Sequence, residues 1–220
     1  MKRTLQMILA ILAMVAILPS PATAEEGFKP FGGPGAVTLF LGVDASKMST
    51  SASLPRRFTS GGKEGGGTGL YLRGQYEATD WQTAVDLGMS TQSATEIPVK
   101  FMGASVGKLG LEKGPELGVK FYFTPHTADV RPFVGLKLMN TEVTSSLAIG
   151  GRSMPTEGGG WGLGFRGGLE GSLEPLGMKG GRWILEASGG GKGVKATTPG
   201  GGSVEIKPNT TVLLGVGVSF

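Results

Sequence analysis

The chain has 220 residues, of which 41 are glycine and none is cysteine, and its Lys and Arg exceed its Asp and Glu by a net charge of +4. Glycine at this share, without a Gly-X-Y repeat and with only 13 prolines, excludes collagen, and a hydrophobic content of 39% excludes a disordered polar chain. The lack of cysteine excludes disulfides, thiolate metal sites and lipid-anchor cysteines, and the small net charge argues against nucleic acid as a partner.

The N-terminal segment predicts a cleaved export signal. Two basic residues precede a largely apolar stretch from Leu5 to Leu18, and the segment closes with Ala22-Thr23-Ala24, the small-x-small pattern of a signal peptidase site. The apolar stretch is shorter than the about 20 residues that a membrane-spanning helix needs. We therefore predict export through the Sec pathway, with a signal peptide at residues 1–24 and one mature domain at residues 25–220.

Hydrophobic side chains in the mature chain recur at every second position, the period of a β-strand with one apolar face. In the C-terminal segment, one face carries Val212, Leu214, Val216, Val218 and Phe220. The same alternation predicts eight strands, at residues 35–45, 68–79, 81–91, 114–124, 132–143, 160–173, 181–191 and 209–220. A further hairpin between Ile97 and Val106 would raise the number to ten.

The connections between these strands alternate in length. The short connections include 79–80, 125–131 and 174–180, and the long ones are 46–67, 92–113, 144–159 and 192–208. Turns at one rim and loops at the other are typical of an up-and-down antiparallel β-barrel. The predicted fold class is therefore all-β.

The polar faces of the predicted strands carry many charges, which are Asp44, Arg73, Glu77, Asp86, Glu116, Lys120, Lys137, Arg166, Glu170 and Glu186. In a soluble barrel these side chains would face water, whereas in a membrane barrel they would fill the lumen. Charges inside a barrel must be paired, because an unpaired buried charge costs about 3–5 kcal/mol. The membrane alternative therefore predicts a lumen plugged by an ion network.

Two observations favour the membrane alternative. Aromatic residues lie near the predicted strand ends, as an interfacial girdle requires, and they are Tyr76, Trp81, Phe123, Trp161 and Trp183. In addition, a tilted strand of about 10 residues spans the apolar band of about 25 Å in a bacterial outer membrane. We therefore predict a transmembrane barrel in that membrane.

The chain resembles the small outer-membrane β-barrels of Gram-negative bacteria, the eight-stranded OmpA-like and OmpX- or OmpW-like proteins. Its C-terminal strand, which ends in Phe220, is similar to the signal by which the barrel-assembly machinery recognises its clients. The stretch Arg131-Pro132-Phe133-Val134-Gly135-Leu136 is similar to the Arg-Pro-Tyr-Val-Gly start of an upward strand in that family. The resemblance implies the barrel-assembly machinery, periplasmic chaperones and outer-membrane lipids as partners, and no peptidoglycan-binding domain is expected to follow.

The sequence predicts no catalytic, metal or cofactor site. His126, the one histidine, falls in a short turn and is expected to be a solvated residue on the periplasmic rim. The G-x-G-x-x-G match at Gly162–Gly167 lies inside a predicted strand, whereas a dinucleotide site needs this pattern between a strand and a helix. The long loops carry more Lys and Arg than Asp and Glu, which suits the phosphates of lipopolysaccharide or serves only to keep the loops soluble.

The function predicted from the sequence is that of a non-enzymatic outer-membrane barrel with a structural or surface-interaction role and an unidentified extracellular ligand. Three alternatives remain at this point. They are a narrow channel for small or hydrophobic solutes, an enzyme that acts on lipid A, and a soluble periplasmic binding protein.

Overall fold

The computed structural model describes residues 35–53, 58–60, 64–78, 81–90, 97–145, 148–149, 152–153, 158–190, 194–198 and 202–220. The predicted signal peptide at 1–24, the first residues of the predicted mature domain at 25–34 and parts of the long connections lie outside the described residues. Where the chain is described, no helix combines the length and the apolar character needed to cross a membrane.

The wall of the molecule is built from β1 (Gly35–Ser53), β3 (Glu64–Ala78), β4 (Thr83–Ser90), β6 (Ala104–Tyr122), β7 (Val130–Ser145), β10 (Gly159–Ser172), β11 (Gly181–Gly190) and β13 (Gly202–Ser219). The short strands that accompany the wall are β2 (Phe58–Ser60), β5 (Ile97–Phe101), β8 (Ala148–Ile149), β9 (Arg152–Ser153) and β12 (Val194–Thr198). Leu173 precedes a single 3-10 turn at Glu174–Leu176.

The wall strands close into a barrel. Each one pairs antiparallel with the next along the chain, and β1 pairs with β13 from Thr38 opposite Ser219 to Ser53 opposite Ser203. Closure leaves no unpaired edge in the wall, so every wall strand has two hydrogen-bonded neighbours. The predicted up-and-down barrel of eight strands is therefore confirmed.

The two ends of the barrel differ. The turn end carries the connections β3–β4, β6–β7 and β10–β11, together with the start of β1 and the end of β13. The loop end carries the other connections and all five short strands, of which β12 adds to β13, β5 adds to β6 and β2 adds to β5.

The wall strands extend further toward the loop end than the sequence predicts. β1 continues to Ser53 and β6 already begins at Ala104, within segments predicted to be loops. These extensions are rich in Gly, Ser, Thr and Lys, so they continue the backbone ladder without the apolar alternation by which strands are recognised. The hairpin predicted near Ile97–Val106 does form, but it adds β5 beside β6 and leaves the barrel at eight strands instead of ten.

A β-bulge in β6 changes which residues face the lumen. The register with β7 shifts between Lys113 and Glu116, and the residues skipped are Gly114 and Pro115, of which proline has no N–H to donate. The extra residue lets Lys113 face the same side as Glu116, although strict alternation from Glu116 would turn it outward. Sequence reasoning missed Lys113 because it placed this segment in a loop.

Glycines on the inner face make room for large lumen side chains. A Cβ added at Gly118 would overlap the Arg166 guanidinium, and one added at Gly168 would overlap the backbone carbonyl of Leu185 on β11 and meet Phe133 Cζ at 3.0 Å. These glycines let bulky side chains lie against the wall of a barrel that is only just wide enough to hold them. The abundance of glycine in the strands thus has a packing reason.

Candidate functional site: the charged interior of the barrel

The barrel buries its polar faces and exposes its apolar ones. On β3, Arg73 on the inner face is 1% exposed, whereas Leu70 on the opposite face is 60% exposed. On β13, the outward-facing Leu214 is 62% exposed. The predicted interior charges are all buried, and they are Asp44, Arg73, Glu77, Asp86, Glu116, Lys120, Lys137, Arg166, Glu170 and Glu186. Their side chains form a chain of contacts along the barrel axis, which we call the lumen network.

β3 organises the lumen network because it contributes one member to each of four successive levels. From the turn end to the loop end these residues are Glu77, Gln75, Arg73 and Tyr71, each 4% exposed or less. Their spacing of two residues is the period of the strand, so the alternation read from the sequence also sets the spacing of the levels.

At the level nearest the turn end, Arg131 from β7 pairs with Glu77. The Arg131 Nη1 donates to Glu77 Oε2 at 2.8 Å, and its guanidinium lies 3.8 Å from the centre of the Tyr122 ring. His126 Nδ1 lies 3.2 Å from Glu77 Oε1, and its side chain is 34% exposed. His126 thus lies in the turn and is partly exposed, and in addition it contacts the network through Glu77, a contact that was not predicted.

The second level is centred on Glu170 of β10. Lys120 Nζ donates to Glu170 Oε2 at 3.2 Å and to Gln75 Oε1 at 2.5 Å, and Tyr122 Oη donates to Glu170 Oε2 at 2.7 Å. Lys120 also lies 4.6 Å from the centre of the Phe133 ring. This fully buried ammonium group thus has a carboxylate, an amide oxygen and an aromatic face as partners.

The third level is a quartet of two arginines and two acids. Arg73 donates through Nη1 to Glu186 Oε2 at 2.6 Å and through Nη2 to Glu186 Oε1 at 3.1 Å. Arg166 holds Asp86 with two parallel hydrogen bonds of 2.9 and 2.5 Å. Contacts of 3.7 Å from Arg73 to Asp86 and 3.8 Å from Arg166 to Glu186 join the two pairs. Bidentate pairs of this kind link strands that are not neighbours in the wall.

Two further levels lie toward the loop end. Tyr71 Oη donates to Glu116 Oε1, and Lys137 Nζ lies 3.3 Å from Glu116 Oε2. Above them, Lys113 Nζ donates to Asp44 Oδ2 at 2.8 Å and to Thr211 Oγ1 at 3.1 Å. Lys113 therefore connects β6 to β1 and β13 on the other side of the barrel.

Several members of the lumen network were not among the predicted interior charges. They are Tyr71, Gln75, Lys113, Tyr122 and Arg131. Alternation alone places Tyr71, Gln75 and Tyr122 on the inner face, so a search for polar side chains of any kind would have found them. Arg131 was missed because β7 begins at Val130, two residues before the predicted start.

The predicted girdle residues lie at the ends of the wall. At the turn end Trp81 and Phe123 are 73% and 66% exposed, and at the loop end Trp161 is 56% exposed. Tyr76 and Trp183 are half-buried, and their rings lie over Gly35 and Gly171 of adjacent strands. The C-terminal series Val212, Leu214, Val216, Val218 and Phe220 lies on the outer face, with exposed fractions of 44% to 67%.

The chemistry of the lumen network is that of an ion-paired core. Its carboxylates are held by Lys, Arg or Tyr, and among the described residues no group of three or more His, Cys, Asp or Glu side chains is arranged to hold a metal ion. In the same part of the chain, the side-chain contact of His126 is to a carboxylate and not to a serine or threonine hydroxyl. The network is suited to holding the wall together across the lumen.

No protein-family model matches this sequence, and no curated protein sequence matches it. Among solved structures, the chain is similar to the outer membrane protein OprG from Pseudomonas aeruginosa, with a TM-score of 0.65 and 18% identity over 86% of this chain and 97% of that one. It is also similar to the outer membrane protein AlkL in lipid bilayers, with a TM-score of 0.52 and 14% identity over 92% of this chain and 94% of that one. At such identities the likeness concerns the fold, and it confirms the resemblance to small outer-membrane β-barrels at that level.

Proposed function

We propose that this chain is an integral outer-membrane β-barrel protein with a non-enzymatic, structural or surface-interaction role, and that the lumen network keeps its interior closed. The observation that carries the proposal is the orientation of the strands, with apolar side chains outward and charged side chains inward. A soluble barrel with this sequence would have the opposite orientation.

The outer surface supports insertion into a bilayer. Large apolar side chains at the middle of the wall are 40% to 60% exposed on several strands, among them Leu41, Leu117, Leu136 and Val216. Soluble monomers rarely expose continuous apolar patches beyond a few hundred Å². A closed sheet with every wall strand paired is also one of the two folds whose backbone polar groups can all be satisfied inside lipid.

The inner surface supports a closed lumen. Arg73, Lys120 and Glu170 are between 0% and 1% exposed, and their ion pairs cross the barrel at successive levels. A barrel of this strand number is just wide enough for side chains to fill it. A continuous aqueous pathway would require several of these pairs to separate.

The partners we propose follow from this location. Outer-membrane lipids would contact the apolar belt, and the basic loops would meet the phosphates of lipopolysaccharide. The barrel-assembly machinery and periplasmic chaperones would act during biogenesis, with the C-terminal series ending in Phe220 as the recognised segment. The expected signal peptide would direct export of the chain through the Sec pathway, before the chaperones and the assembly machinery act on it.

The test is fractionation of expressing cells followed by analysis of the extracted protein. We expect the protein in the outer-membrane fraction, soluble only with detergent, and migrating differently on gels before and after heating because the folded barrel resists unfolding. A protein released by carbonate would contradict the proposal and favour the soluble binding protein.

The same preparation, reconstituted in planar bilayers, separates a closed barrel from a channel. We expect no reproducible single-channel steps in wild-type protein, because ion pairs of the lumen network cross the interior at several levels. Regular conductance steps from the purified protein, absent with bilayers that received detergent alone, would favour the narrow-channel alternative.

A further inference from the structure

One buried arginine lies outside the lumen network. Arg182, the second residue of β11, is 7% exposed and faces the inside of the barrel at the turn end. Within the described part of the chain, its guanidinium forms no hydrogen bond and no ion pair, unlike those of Arg73, Arg131 and Arg166. Among the described residues, none of its nitrogen atoms is enclosed away from solvent without a partner, so a ligand that enters from solution can reach the guanidinium.

Arg182 borders a cavity of about 410 Å³ that opens at the turn end. The cavity is also lined by Ser172 of β10 and Ser219 of β13, which come from the two strands that flank β11 in the wall. Ser172 lies directly opposite Arg182 in the ladder. Three polar side chains from adjacent strands therefore converge on one space large enough for a small molecule.

The hydroxyl groups of Ser172 and Ser219 can act as hydrogen-bond donors. Ser172 Oγ accepts a hydrogen bond from the Glu174 N–H at 3.1 Å, and Ser219 Oγ accepts one from Thr38 Oγ1 at 3.2 Å. Since each hydroxyl oxygen already acts as an acceptor, its own O–H remains available as a donor. The cavity thus presents a guanidinium fork and two hydroxyl donors.

We propose that this cavity binds a small oxyanion, a carboxylate or a phosphate group, through the Arg182 guanidinium and the hydroxyls of Ser172 and Ser219. The planar fork of arginine matches the paired oxygens of both groups, and charge-assisted hydrogen bonds of this kind are among the strongest in proteins. Asp129 and Glu174, both exposed, lie on the rim of the cavity and disfavour ligands with several negative charges. The cavity adjoins the lumen network, since His126 lines it and contacts Glu77, but Arg182, Ser172 and Ser219 are not members of that network. The proposal is independent of whether the barrel conducts.

The binding test uses the mature barrel folded in dodecyl maltoside micelles, which carry no charge. Inorganic phosphate and acetate are titrated at constant ionic strength set with sodium chloride, while the Nε–Hε signal of Arg182 and the amide signal of Ser172 are followed by NMR. We expect a saturable shift of both signals. Arg182→Gln should weaken binding by about tenfold or more, the loss expected for one charged hydrogen-bonded pair.

The matched control is Lys179→Gln, which removes an exposed positive charge from the same turn and should leave the affinity unchanged. Equal losses in both variants would mean non-specific attraction and would overturn the proposal, as would the absence of any saturable shift. In nanodiscs of phosphatidylglycerol without added phosphate, a shifted Arg182 signal would identify a lipid headgroup as the source of the anion. A shift that appears only after phosphate is added would identify the free anion.

A stability measurement distinguishes a ligand-binding arginine from a structural one. Without ligand, Arg182→Met should leave the urea midpoint of unfolding unchanged or raise it, because the change removes an unpaired buried charge. Arg131→Met, which leaves Glu77 without its arginine, should lower the midpoint. If Arg182→Met lowers the midpoint as much as Arg131→Met, or prevents folding, Arg182 has a structural partner and the proposal is wrong.

Discussion

Replacement of Arg73 by methionine is expected to lower the free energy of unfolding of the barrel by about 3–5 kcal/mol, the usual cost of leaving one member of a buried ion pair alone. Arg73 is 1% exposed and holds Glu186 with two hydrogen bonds, and it lies 3.3 Å from Glu116. Without Arg73, the buried carboxylates of Glu186 and Glu116 lose a positively charged partner. Urea unfolding in micelles, followed by tryptophan fluorescence, measures the change.

Two controls show what the loss at Arg73 means. Lys179→Met removes the same charge from an exposed turn and should change the unfolding free energy by less than about 0.5 kcal/mol. Arg73→Lys keeps the charge without the planar fork, so its loss should fall between the other two. If Arg73→Met were no more destabilising than Lys179→Met, the lumen network would not hold the barrel together.

Replacement of Leu214 by arginine is expected to cost about 2–4 kcal/mol when the barrel is folded into lipid bilayers, the cost of a cation on the lipid face near the midplane. Leu214 is 62% exposed on the outer face of β13 and lies four residues after Thr210, where the register between β13 and β1 shifts. In a water-soluble protein, arginine at so exposed a position would be nearly neutral. Equilibrium unfolding from liposomes measures the difference between these two expectations.

Thr210→Arg is the matched control for Leu214→Arg. Thr210 is exposed on the same strand and the same face, but it lies closer to the loop end, beyond the apolar series. The cost of arginine on the lipid face falls to about 0–1 kcal/mol near the interfaces, so this variant should be close to wild type. Equal effects at the two positions would argue against a depth-dependent, lipid-facing surface.

The barrel could be predicted from the sequence because its two faces are chemically distinct. Alternation fixes the face of every residue in a regular strand, so positions such as Lys120 and Arg166 could be assigned to the inner face without coordinates. The short connections between predicted strands indicated that strands consecutive in the chain are antiparallel neighbours in the sheet. The similarity to the structures of OprG and AlkL, which covers 86% and 92% of this chain, agrees with the predicted barrel fold.

Other features could not be predicted, because alternation stops being informative outside the apolar belt. The extensions of β1 and β6 have polar residues on both faces, and the bulge at Gly114–Pro115 reverses the pattern locally. Pairing partners are set by the barrel's closure, which brings Arg166 of β10 to Asp86 of β4 although 80 residues separate them in sequence. Arg182 was overlooked for a similar reason, since only the fold shows that it is buried without a partner.

Labelling with a lipid-soluble photoreactive probe tests the orientation of the strands most directly. The barrel is folded into liposomes that contain the probe, irradiated, digested and analysed by mass spectrometry. We predict modification at Leu214 and Val216, which are 62% and 58% exposed on the outer face, and none at Lys120 or Arg166, which are buried in the lumen. Labels on Lys120 or Arg166 that spare Leu214 and Val216 would show that the charged face meets the lipid and would contradict the account.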